Sequence, residues 1–206
     1  MKAKPILTAA LLLCALGKAP AATLISNLLQ TQGTGVGMSN TTTIVASDFL
    51  TGTSPMIATD LAVQLSNIDG VAHTVIFSIY TNNAGFPGSL IGSFATLTVP
   101  GGQFNKKLFS QGNISLAVNT PYWLGMVLGE PGTNGIYSAR TGSQAIDSGI
   151  FSTIPATLTV IVDNGTYTGG YVGNLTYSLS GTSTPEPASA ALLGLGALLL
   201  AARRRR

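Results

Sequence analysis

Apolar and polar residues alternate with period two through most of the middle of the chain. In "TDLAVQLSN", Leu61, Val63 and Leu65 fall on one side and Asp60, Ala62 and Gln64 on the other. "HTVIFSIYTNN" sets Val75, Phe77 and Ile79 against Thr74, Ile76 and Ser78. "TLTVIVDNGTY" aligns Leu158, Val160 and Val162 and then meets Asp163-Asn164-Gly165, a residue set that favours a tight hairpin turn. "NLTYSLSG" repeats the pattern with Leu175, Tyr177 and Leu179, and shorter runs cover residues 90–99, 103–109, 114–118 and 122–128. Successive strand side chains point to opposite faces, so this period is the mark of half-buried strands. Thr, Val, Ile and Tyr fill the runs, and Gly, Pro and Asn separate them. The body sustains no helical period and no fixed internal repeat. Many short strands at this spacing predict an all-β fold, a single jelly-roll-like β-sandwich over residues 22–181.

Both ends break the pattern. Lys2 and Lys4 precede an apolar run, Ile6 to Leu16, and then Ala19-Pro20-Ala21. A basic start, a short apolar stretch and a small-residue cleavage site predict a signal peptide over residues 1–21. The run is too short for a stable span. Cys14 is the only cysteine and Leu13 precedes it, where a lipid-anchor signal needs a small residue. Once residues 1–21 leave, neither a disulfide framework nor a thiolate metal site is available. At the other end, Gly181 to Ser183 reads as a linker into a segment of residues 182–206.

Charge is concentrated at those ends. The chain carries a formal charge of +3 and a calculated pI near 9.2, yet Lys106, Lys107 and Arg140 are the only bases between Thr23 and Gly181. Six acids, Asp48, Asp60, Asp69, Glu130, Asp147 and Asp163, outnumber them. A weakly acidic body gives no basic surface for nucleic acid.

Few residues of the body suit chemistry. His73 is the sole histidine, and alternation puts it on the face of Val75 and Phe77, as a satisfied histidine at a strand start. There is no Gly-x-Ser-x-Gly nucleophile elbow. Paired carboxylates run glycosidases, but six scattered acids read as turn and surface residues. Asp69-Gly70 and Asp163-Asn164-Gly165 offer oxygens to calcium and are equally well explained as turns. No metal ligand set and no cofactor is expected. The aromatic residues Tyr80, Phe86, Tyr122, Trp123, Tyr137, Tyr167 and Tyr171 raise the idea of a sugar-binding platform. Trp123 opens "YWLGMV" and reads as core; Tyr80, Tyr137, Tyr167 and Tyr171 are the candidates for glycan contact.

The tail is a membrane segment by its composition. Ala188 to Ala202 is 15 residues, about 22 Å as a helix, against a hydrocarbon core of about 30 Å. Six leucines contribute roughly −2 to −4 kcal/mol to insertion. Gly194, Gly196 and Ser189 weaken it, which leaves a marginal transmembrane helix over residues 188–202. Arg203, Arg204, Arg205 and Arg206 follow it and stay cytoplasmic, so the body between two basic flanks faces outward.

"TPEPASAALLGLGALLLAARRRR" resembles a PEP-CTERM sorting signal: Pro185, Glu186 and Pro187, then a short apolar helix, then a basic cluster. It differs in Thr184, where a valine is frequent. The resemblance implies a Gram-negative export system in which an exosortase, a membrane cysteine protease, recognises and removes the tail. It also implies an inner-membrane intermediate, a cell-surface or extracellular destination, and association with exopolysaccharide or biofilm. "ASDFLTGTSPMIATDLAVQLSN", "FSIYTNNAGFPGSLIGSF" and "LAVNTPYWLGMVL" resemble the choice-of-anchor R domain, closely over residues 47–128 and loosely over 129–181. That family implies a β-sandwich of unassigned activity, so it supplies no catalytic residue. The expectation is an exported, non-enzymatic envelope or matrix protein; the opposing reading is a secreted carbohydrate-active hydrolase.

Overall fold

The computed structural model describes residues 21–28, 36–37, 41–68, 70–130, 136–138, 148–151, 158–172 and 175–184. The signal peptide up to residue 20, the sorting motif and the helix expected over residues 188–202 lie outside them. Every regular element among the described residues is a strand. These are β1 (Ala22–Ser26), β2 (Val36–Gly37), β3 (Thr43–Leu50), β4 (Met56–Asn67), β5 (His73–Asn83), β6 (Phe86–Ser93) and β7 (Leu97–Val99). The chain continues with β8 (Gln103–Leu116), β9 (Pro121–Leu128), β10 (Ile136–Ser138), β11 (Ser148–Gly149), β12 (Leu158–Asp163), β13 (Thr166–Val172) and β14 (Tyr177–Ser183).

The strands form two seven-stranded sheets. The first runs β11-β1-β14-β4-β10-β2, with β8 also on β4, and the second runs β13-β12-β3-β9-β5-β6, with β7 also on β5. One apolar cluster takes side chains from both. The first sheet supplies Leu24, Ile25, Leu61, Val63, Leu65, Tyr177 and Leu179, and the second supplies Val45, Phe49, Val75, Phe77, Ile79, Leu124 and Met126. The alternating sets read from the sequence at β4, β5 and β14 are the sets that meet in this layer.

Two runs that read as separate strands, 103–109 and 114–118, belong to the single strand β8, which ends at Leu116. Gln111-Gly112-Asn113 resembles a break, but it is a bulge. The pairing with β4 shifts register between Ala58 opposite Ile114 and Asp60 opposite Gln111. Glycine fits there because a Cβ at Gly112 would come within 2.7 Å of the Phe94 ring. Phe94 in turn sits at a corner that joins the sheets. Its N–H donates to the Phe77 carbonyl of β5, and the Ala95 N–H donates to the Gln111 carbonyl of β8.

A second join uses a buried asparagine. Asn27, 2 % exposed, receives the Tyr177 N–H on Oδ1 at 2.7 Å and donates Nδ2 to the Leu175 carbonyl at 2.7 Å. The Leu175 N–H donates to Ser47 Oγ of β3 at 2.8 Å, so one short segment links β1, β14 and the second sheet.

The hairpin turns follow their residues. Asn164 and Gly165 both hold positive φ, 48° and 76°, as a two-residue turn between β12 and β13 requires. The β5–β6 turn has the same form with Ala84 at φ 50° and Gly85 at 88°. Alanine carries a Cβ penalty in that region.

Two stability measurements check this account. Asn27→Ala strands buried backbone groups of Leu175 and Tyr177 and is expected to cost about 2–4 kcal/mol. Ala84→Gly relieves the left-handed backbone and is expected to gain about 0.5–1 kcal/mol. Urea unfolding followed by tryptophan fluorescence reads both; no loss for the first, or a loss for the second, contradicts the assigned geometry.

Candidate functional site

The outer face of the second sheet holds most of the aromatic side chains singled out from the sequence. Tyr80 on β5 lies opposite Trp123 on β9, and with Ala46 and Val162 they make a second apolar cluster. Trp123 is 2 % exposed, and its Nε1–H donates to Asn82 Oδ1 at 2.9 Å. Gly125 makes room for this packing, since a Cβ there would meet the Tyr80 ring at 2.7 Å. Burial raises the Tyr80 phenol above its ordinary pKa, against a smaller opposite pull from its hydrogen bond with Ser78.

The sheet is strongly curled. Phe86 opens β6 and Tyr167 lies on β13, at opposite ends of the strand order. In a flat sheet, five strand spacings would hold those strands about 24 Å apart. The two rings instead meet at 5.1 Å between centroids, tilted by 49°. The edge hairpins therefore meet, and on this sheet Tyr80 is 9 % exposed while Tyr167 remains 46 % exposed. Tyr171 is on β13, where it pairs with Thr159. Tyr137 is on β10 of the first sheet, paired with Gly37 and Ser66. The four tyrosines do not share one face.

The first sheet keeps an open outer face. Three rungs of the β4–β8 pairing, Asp60 with Gln111, Ala62 with Phe109 and Gln64 with Lys107, carry side chains there. Ser178 and Ser180 of the neighbouring β14 continue it, and the whole forms a trough of about 680 Å³. Phe109 is 70 % exposed because its cross-strand partner is only an alanine. Lys107 Nζ lies 5.4 Å from the ring centroid, a cation–π contact that steadies the ring. Thr59 donates to Asp60 Oδ2 at 2.7 Å. Sequence reasoning did not single out Phe109; alternation in "KLFSQ" places it with Lys107 and Gln111, and this was the available signal.

Pro185, Glu186, Pro187 and Arg203 to Arg206 lie outside the described residues, but their sequence can be compared directly. Residues 183–206 match the PEP-CTERM protein-sorting motif. The match supports exosortase-dependent sorting of an exported protein. No curated protein matches the chain.

The body that precedes the PEP-CTERM motif holds its titratable groups in local contacts. His73, 8 % exposed, begins β5 opposite Val99. Asp163 Oδ1 accepts from Thr42 Oγ1 at 2.8 Å and Thr43 Oγ1 at 3.4 Å. Glu130 Oε1 accepts from the Thr74 N–H and hydroxyl at 3.3 and 3.2 Å. Among the described residues, no three His, Cys, Asp or Glu side chains form a group able to hold a metal ion. Asp69, of the other turn weighed for calcium, lies outside them.

Among the described residues, the most strongly perturbed group is in the core. Tyr177 is 1 % exposed, and its hydroxyl has no hydrogen-bond partner. Burial first, and then the nearby Asp48 carboxylate, push its ionisation well above the ordinary 10.0. A folded pKa above the unfolded value means stability fully present below that unfolded value and lost as pH climbs beyond it. Tyr177→Phe is expected to keep stability or add about 0.5–2 kcal/mol at pH 7, since a buried unpaired hydroxyl costs that much. It should also flatten the fall of stability above pH 10. Urea titrations at pH 7 and in the alkaline range check both; an equally steep alkaline fall in the variant would show that Tyr177 is not its source.

Proposed function

We propose that this chain is an exported, non-enzymatic protein of the cell envelope or extracellular matrix in a Gram-negative bacterium. Residues 1–21 direct export. Residues 22–181 form the ectodomain, a jelly-roll-like β-sandwich of choice-of-anchor R type. Residues 182–206 hold it at the inner membrane through the helix over 188–202 until an exosortase cuts near Pro185 to Ala188. The released body then resides at the cell surface or outside the cell, in association with exopolysaccharide or biofilm.

The observation that carries this reading is the match of residues 183–206 to the sorting motif. Each part of that segment has a physical task. Pro185 and Pro187 keep their stretch extended, the form in which a protease site accepts a chain. The apolar run is short, so retention in the membrane is marginal and suits a transient intermediate. The four arginines orient it by staying cytoplasmic. The non-enzymatic part draws on the body: its histidine is buried, and the described carboxylates of Asp60, Glu130 and Asp163 accept hydrogen bonds from neighbouring threonines.

Intact mass of the protein by cell fraction tests the proposal. Protein outside the inner membrane is expected to end between Pro185 and Ala188. Glu186→Ala should leave uncut precursor in the inner membrane without changing its insertion, and serines at Arg203 to Arg206 should impair retention. External protein that still carries Leu192 to Arg206 would make the tail a permanent anchor. Hydrolysis of a polysaccharide that vanishes in His73→Ala would instead make the body a hydrolase.

A further inference from the structure

We propose that the trough on the outer face of the first sheet binds an uncharged polysaccharide, with the Phe109 ring as the stacking surface. This rests on the reading that the body meets exopolysaccharide outside the cell, and it names the face and the class of polymer. The trough, at about 680 Å³, lies within the roughly 300–1,000 Å³ of ligand sites. Its lining selects among ligand classes. Ser178, Ser180 and Gln111 offer hydroxyl and amide groups that both donate and accept, which suits a hydroxyl-rich surface. Asp60 and Lys107 contribute one charge of each sign, so neither a polyanion nor a polycation is favoured. Nucleic acid would need a basic stripe; Ala21, Leu28, Ala62 and Ala95 add only small or aliphatic contacts beside the ring, less than the extended apolar patch that a protein partner buries.

Phe109 completes the chemistry. The face of an aromatic ring is electronegative and attracts the weakly positive C–H groups on the apolar side of a sugar ring. Lys107 lies over one side of the ring, and at 70 % exposure much of the remainder is open. Small side chains surround it: Ala62 across the strand pair and the serines of β14 beyond. A sugar ring can therefore lie flat on Phe109 while its hydroxyl groups reach Gln111, Asp60 and Ser178.

The test is affinity electrophoresis of the full chain in non-ionic detergent through gels containing hydroxyethyl cellulose, galactomannan or dextran, with alginate as the acidic comparison. Retardation by at least one uncharged polymer is expected. Phe109→Ala should weaken it roughly tenfold in apparent affinity, equivalent to about 1.4 kcal/mol, and Gln111→Ala should weaken it less. Tyr167→Ala, which removes an exposed ring from the other sheet, should leave it unchanged. Unaltered circular dichroism shows that each variant is folded, and an Ala62→Arg variant that blocks the trough gives an independent second reading. No retardation by any of the three uncharged polymers overturns the proposal, as does retardation by alginate alone. So does binding that survives Phe109→Ala and Ala62→Arg, or that depends on Tyr167; in those cases polysaccharide association stands and this face is wrong. The sorting reading is judged separately, by the mass of the processed chain, and is untouched by any of these results.

Discussion

Burial of one apolar layer between the two sheets is the constraint on which the rest of the body depends. The chain's only cysteine, Cys14, belongs to the expected signal peptide, so no disulfide within the body restrains its unfolded state. Order has to come from burial, and the largest fully buried side chains are Tyr177, Phe49, Phe77, Leu24, Ile25, Leu61, Leu65, Ile79, Leu124 and Met126. They come from six strands, and in β4, β5 and β9 they reach the layer at alternate positions, while a bulge in β1 lets the consecutive Leu24 and Ile25 both enter it. The same rule polices register. A one-residue slip of β4 would exchange Leu61, Val63 and Leu65 for Asp60, Ala62 and Gln64, which no apolar layer accepts. Fixing the inner face also fixes the outer one, so Lys107, Phe109 and Gln111 are displayed as a consequence of what Leu61 to Leu65 bury.

The two outer faces differ in how their aromatic rings are used, and in the second sheet the curl brings the edge hairpins together. Phe86 and Tyr167 touch across its whole width, and Tyr80 and Trp123 are buried on the same sheet. Gly125 permits the close approach, and Asn82 fixes it: its Oδ1 accepts from Trp123 Nε1 at 2.9 Å and from the Gly85 N–H at 3.2 Å, tying the hairpin to the indole. Aromatic rings are thereby drawn into packing on one face. On the other, Ala62 leaves the Phe109 ring in solvent. Aromatic content alone does not make a binding platform; the side chain across the strand pair decides which ring stays open.

Much of the fold was legible in the sequence where one face of a strand is buried and the other wet. β4, β5 and β14 announce themselves in this way, and the Asn164-Gly165 turn is chemically specified. β3 was not legible, because both of its faces are covered. Thr43, Ser47 and Asp48 are buried along with Val45 and Phe49, so burial there does not follow polarity. β13 carries Gly169 and Gly170, which weaken any strand signal. His73 was placed correctly, as a buried residue at a strand start. Phe109 escaped notice because its exposure depends on Ala62, forty-seven positions away in the sequence and adjacent only through the β4–β8 register. The sorting motif was readable without any fold, since it is a linear pattern in the sequence: Pro185-Glu186-Pro187, an apolar run, then arginines.

An open trough and a removable tail fit the same physical task. A polysaccharide strand offers few free ends, so an enclosed pocket would have to wait for one, whereas a trough on a sheet face accepts the middle of a chain from the side. A site built around one ring holds a single sugar unit weakly. A polymer repeats that unit many times, and each released protein finds the next copy at high local concentration. Retention in a matrix then comes from repetition in the ligand rather than from tight binding by the protein. A body fixed permanently in the membrane could sample only the strands that reach it there. If the tail is cut as proposed, the same weak contact would distribute the protein through the polymer, so removal of the tail would change where the trough works without changing what it recognises.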